Sequence, residues 1–141
     1  MELRVPADVR HVRRARQWVM AHAGARGLAA PALRVVELLT SELVTNAVKY
    51  GGGDEVLVRV TPAAGGVRVE VHDECPLTPQ VLDPEDAAPG GRGMRLVNLL
   101  ADQWGVDRRE PAGKAVWFAV PRSGRRRHGR GVADELAAAP A

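Results

Sequence analysis

Apolar residues change their period along this chain, and each change marks a different element. Between Val9 and His22 they recur every three or four residues, as Val9, Val12, Ala15, Trp18 and Val19, while Arg10, Arg13, Arg14 and Arg16 fill the other positions. That spacing predicts an amphipathic helix with one buried stripe. Pro6 and Asp8 suit its start, and Glu2 to Val5 before them suit a short edge strand. The segment GARGLAAP interrupts the pattern, and Pro31 opens a second helix from Ala32 to Tyr50. Its stripe is Val36, Leu39, Leu43, Ala47 and Tyr50, and Gly51, Gly52 and Gly53 mark its end.

The period then falls to two. Glu55 to Thr61 (EVLVRVT) and Val67 to His72 (VRVEVH) alternate apolar and polar residues around PAAGG, which predicts an antiparallel hairpin. Pro76 to Gly91 has four prolines and no apolar period, so it reads as a long loop, a kind of segment that often covers a site. A third helix from Met94 to Ala101 and two strands, Trp104 to Arg108 and Lys114 to Val120, complete the set. Helices and strands in separate runs argue for an α+β fold, a two-layer sandwich of a mainly antiparallel sheet with helices on one face.

Composition narrows the class. With 141 residues, 45% hydrophobic and 26% charged, the chain has the balance of one globular domain, and its length lets folding bury roughly two-thirds of the unfolded surface. A single cysteine, Cys75, excludes an intramolecular disulfide framework, and beside Asp73 it reads as an inert thiol. The formal charge of +3 invites a nucleic-acid reading, but it sits entirely after Pro121, where five arginines meet two acids; the 121 residues before carry 15 basic and 15 acidic side chains. Residues 1–121 are therefore expected to form the domain, and 122–141, rich in Arg and Ala, a disordered tail. Few aromatics and no recognition motif argue against nucleic acid. No stretch is long and apolar enough for a membrane, and a weak secretory pattern makes the cytoplasm the expected location.

Candidate chemistry begins on the second helix. Glu42 and Asn46, four residues apart, lie one turn above the other. A carboxylate and a carboxamide so placed could hold a hydrated Mg²⁺ beside a nucleophile; they are equally the residues of a solvated helix face. Asp73 follows the strand VRVEVH, where a carboxylate could accept from a purine amine or simply form a turn. Gly90, Gly91 and Gly93 surround Arg92 ahead of the third helix, and such glycines let a phosphate approach backbone N–H groups at a helix start. Trp18, Trp104 and Trp117 are assigned to core packing, and His72 to the strand.

The order of these segments, ELVTNAVKYG, VEVHDECP, GGRGMRLV and GKAVWFAV, resembles the GHKL (Bergerat-fold) ATP-binding domain from about Pro6 to Pro121. Within it, SELVTNAV and the GRGM and ADQWGV segments look like the anti-sigma-factor serine kinases and their actinobacterial relatives. The resemblance implies ATP and Mg²⁺ as ligands. Asn46 would coordinate the metal, Glu42 would act as general base toward a serine hydroxyl, and Asp73 would bind the adenine amino group. Gly91 and Gly93 would line the phosphates with Arg92 near them. It also implies a sigma factor or an anti-sigma-factor antagonist as partner, and a homodimer. Two positions depart from the pattern: Asp73-Glu74-Cys75-Pro76 lacks a glycine expected after the Asp, and Ala115 stands where a threonine commonly helps hold the adenine. They leave a second reading, a catalytically weak or inactive ATP-binding module that sequesters a sigma factor. His11 and His22 lack the helical dimerisation segment that a histidine-kinase phosphoacceptor needs.

Overall fold

The alternation in the strand segments builds one antiparallel sheet. In the computed structural model, which describes residues 1–63, 65–74, 92–109 and 113–124, the strands are β1 (Glu2–Pro6), β2 (Glu55–Ala63), β3 (Gly66–Asp73), β4 (Gln103–Arg108) and β5 (Lys114–Pro121), in the order β1-β2-β3-β5-β4. Their inward residues Val5, Val56, Val58, Val60, Val67, Val69, Val71, Val116, Phe118 and Val120 are all at most 6% exposed. Three helices cover that face: α1 (Val12–Gly24), α2 (Ala30–Tyr50) and α3 (Arg92–Leu100). The first meets β1 and β2, the second meets β2, β3 and β5, and the third meets β4. The helices therefore follow the strands across the sheet, with α2 in the middle, and the α+β two-layer sandwich is the one the sequence predicts.

Two stripe residues fall outside the core. Val9 is 60% exposed because Val9–His11 form a short 3-10 turn instead of the first turn of α1. The turn is capped by Asp8, which accepts from the Arg10 backbone N–H at 2.9 Å and pairs with its guanidinium; these contacts hold the Asp8 carboxyl down at about 2. Tyr50 is 58% exposed. At the end of α2 it is Gly51, not Tyr50, that meets the sheet, since a Cβ added there would lie 2.8 Å from Asp73 Cβ. The chain leaves the helix through Gly52 at φ +76°, a left-handed turn that favours glycine.

Among the described residues, no helix crosses the other face of the sheet. The register aligns Glu2, Arg59, Glu70, Trp117 and Gly105 in one row and Arg4, Leu57, His72, Ala115 and Asp107 in the next. Trp117 thus stands outside the helix-covered core that the sequence assigns it to. It is out of phase with Val116 and Phe118, and alternation outweighs its hydrophobicity. Its ring lies on Gly105, where a Cβ would be 2.8 Å away, and the Arg68 guanidinium stacks over it at 4.1 Å from the centroid. Trp104 is buried, its Nε1 donating to Asn98 Oδ1 at 3.1 Å, and Trp18 packs against the core edge. Among the described residues, no helix is long and apolar enough to cross a membrane. Residues 122–124 close a turn, with the Arg122 N–H donating to the Gly65 carbonyl at 2.7 Å; residues 125–141 of the tail lie outside the described set.

Candidate functional site

Helix geometry separates the two flanks of α2. Glu37 lines a surface groove with Arg13, Arg16, Gln17 and Met20 of α1. At about 100° per residue, Glu42 lies about 140° and Asn46 about 180° around the helix from Glu37. Both therefore face away from α1, toward the side on which α3 packs. Each is half-exposed, and neither side chain has a hydrogen bond or ion pair among the described residues. Ser41, by contrast, is turned onto its own helix, its hydroxyl donating to the Glu37 carbonyl at 3.0 Å.

Asp73 sits where α2 ends. As the last residue of β3 it shares the phase of Val67, Val69 and Val71 and so points to the helix side of the sheet. Its Cβ occupies the space a side chain at Gly51 would take, and its carbonyl fills the space beside Gly113. Gly113 has φ +97°, so a side chain there would be strained as well as crowded. Asp73 is thus clasped between two glycines, neither of which the sequence reading assigned to the site.

Lys114 is the other residue that reading missed. Its Nζ donates to both Asp73 carboxylate oxygens, at 2.9 and 3.1 Å, and the two side chains are 9% and 8% exposed. Ala115 occupies a different place. It pairs with His72 and Asp107 in the outer rows of the sheet, so no residue at 115 is in phase to reach the Asp73 carboxylate; position 114 is. Period-two phasing carried that signal, because Lys114 is in step with Val116 and Phe118 as Asp73 is with Val71.

Arg92 and Gly93 form the first turn of α3, which begins two residues before the predicted start at Met94. Their main chain lies at the helix N-terminus, where N–H groups have no intrahelical acceptor. Gly91 and the whole segment 75–91, including Cys75, lie outside the described residues. Glu42 lies nine positions before Gly51 and Asn46 five. At about 1.5 Å per residue, Asn46 is about 7 Å and Glu42 about 13 Å up the helix from the Asp73 end. Glu42 and Asn46 therefore share the α3 flank of α2 one turn apart, and Asp73 lies beyond them at the C-terminal end of the helix, against Gly51.

The donor set suits one kind of metal. Among the described residues no group of three or more His, Cys, Asp or Glu side chains could hold an ion. Asn46 offers a hard amide oxygen, which fits Mg²⁺ bound chiefly by substrate phosphates and waters rather than by a protein cage. Comparison with protein families matches residues 5–120 to the histidine kinase-like ATPase domain. No curated protein matches the chain.

Proposed function

Since the chain belongs to the histidine kinase-like ATPase domain family, we propose that it is an ATP-dependent serine kinase of the anti-sigma-factor type, acting on an antagonist protein. The observation that carries this reading is the order Asp73, Asn46, Glu42 along the length of α2, from its C-terminal end upward. A nucleoside triphosphate presents base, phosphates and transferable phosphate in that order. Asp73 accepts from the 6-amino group of adenine, Asn46 holds Mg²⁺ against the phosphates, and the metal supplies charge neutralisation when bound. Glu42 takes the proton of the attacking serine hydroxyl as its oxygen bonds to the γ-phosphorus and the bond to the bridging β–γ oxygen breaks. Gly91, Arg92 and Gly93 flank the phosphates, and the partner is a sigma factor or an anti-sigma-factor antagonist. ATP titration by calorimetry tests the first half. A protein that gives no heat with ATP and Mg²⁺ does not work this way.

A second reading keeps the nucleotide and drops the chemistry: the domain sequesters a sigma factor without transferring phosphate. The incomplete adenine box, with no glycine among Glu74, Cys75 and Pro76 after Asp73, favours it. Incubation with γ-labelled ATP and a candidate antagonist separates the two, since label on a serine excludes the pure binder.

A further inference from the structure

An ion pair withdrawn from water contributes little net stability, because lost hydration offsets most of the attraction. The Asp73–Lys114 pair, each side chain under a tenth exposed, is therefore poorly explained as a fastening for β3 and β5, which are already joined along their whole length. What it fixes is orientation. The Asp73 main chain is held between Gly51 and Gly113, so the remaining freedom is rotation of the carboxylate about its last bond, a broad torsion when nothing restrains it. Two hydrogen bonds from one ammonium, to Oδ1 and Oδ2, remove that freedom. A carboxylate carries about four lone-pair sites, so one such group can serve an ammonium and a base amine together.

We infer that Lys114 is a positioning residue of the base site, setting the Asp73 carboxylate in the orientation that accepts the 6-amino group of a purine. The inference rests on the nucleotide reading above and deepens it: preference for a 6-aminopurine depends on a residue that need not touch the base. On this view the ion pair is part of recognition and does not compete with it.

Two nucleotides test it, ATP and purine riboside triphosphate, which lacks only the 6-amino group, each titrated by calorimetry with Mg²⁺. The unaltered protein prefers ATP at least tenfold. Lys114→Met lowers that preference to within threefold of unity while leaving affinity for the analogue nearly unchanged. Lys114→Arg, which keeps a charged two-pronged donor, retains the preference. A purely structural role would weaken both nucleotides alike and leave their ratio intact, and that result overturns the inference. Should Lys114→Met fail to fold, Lys114→Gln keeps an uncharged amide donor group and removes the charge; it is expected to show an intermediate ratio, and an unchanged one overturns the inference equally. If the unaltered protein binds neither nucleotide, the nucleotide reading falls and takes the inference with it. If it prefers ATP and the variants do so as strongly, only the inference falls.

Discussion

On the helix side of the sheet, Asp73 and Lys114 form a nearly dry, two-pronged ion pair at the end of a valine-lined layer. On the other side, Glu70 is shared among Arg68 at 3.6 Å, His72 at 3.3 Å and Arg109 at 3.8 Å, while Arg68 also reaches Asp107 at 3.2 Å. Strand β3 contributes to both groups, joined by β5 on the helix side and by β4 and the following Arg109 on the other. The inner pair has one geometry and little water, so it can hold a side chain still. The outer contacts are longer and divided, and Arg68 and Arg109 remain 31% and 42% exposed. Among them the exposed Arg68–Asp107 pair contributes about 0–1 kcal/mol. Glu70 and His72 are as enclosed as the inner pair, at 9% and 10%, so a single short two-pronged geometry, more than enclosure, separates a group that positions from one that covers a surface.

If the helix side carries the chemistry, substitutions there should dominate. Asn46→Ala is expected to abolish binding of Mg·ATP, whereas Glu42→Ala leaves affinity within threefold and removes phosphate transfer; calorimetry and label transfer read the two apart. Loss of ATP binding from an outer-face change such as Arg68→Ala, with none from Asn46→Ala, would reverse the comparison. Next in size is Gly113→Ala. A non-glycine residue held in the left-handed region costs about 1–3 kcal/mol, and here the new methyl also meets the Asp73 carbonyl. Denaturant unfolding should show that loss, with weakened ATP affinity beside it.

The outer face should answer more weakly. Arg68→Ala removes the stack on Trp117, worth about 0.5–1 kcal/mol at a partly exposed site, and is expected to leave ATP affinity unchanged. That separation of stability from binding sharpens the contrast, because Gly113→Ala should move both.

Most of the architecture was legible in the changes of period. Every strand and helix lies where the apolar spacing placed it, within about two residues at most ends. Residue type misled where it was set against phase. Trp117 reads as core by hydrophobicity, yet its phase in β5 sends it outward. Ala115 drew attention as the adenine-side position, while Lys114 next to it is the residue in step with Asp73. Tyr50 extends a valid stripe past the point at which Gly51 takes over the contact. Glu70 is one of the polar positions of VRVEVH, but it is 7% exposed because the strands on both sides set Arg59 and Trp117 beside it. Cross-strand register decides such neighbours, and spacing within one strand does not contain it.

The smallest expected effect is a pH dependence on the outer face. Burial, and after it the Arg109 charge, push the His72 imidazole below its ordinary value of 6.5, with Glu70 pulling weakly the other way. In the unfolded chain the ring titrates near about 6.5, so as the pH falls below that value the unfolded state takes up a proton first. Stability from neutral His72 is therefore fully present above about 6.5 and declines as the pH drops toward the lower folded value. His72→Gln should flatten the stability profile between about pH 5 and 6.5 relative to the unaltered protein, while ATP affinity stays the same because the ring lies on the far face from Asp73's carboxylate. A matched slope in both proteins would mean that the outer cluster is solvated well enough for His72 to titrate as it does in the open chain, and the two faces would then differ more than their burial implies.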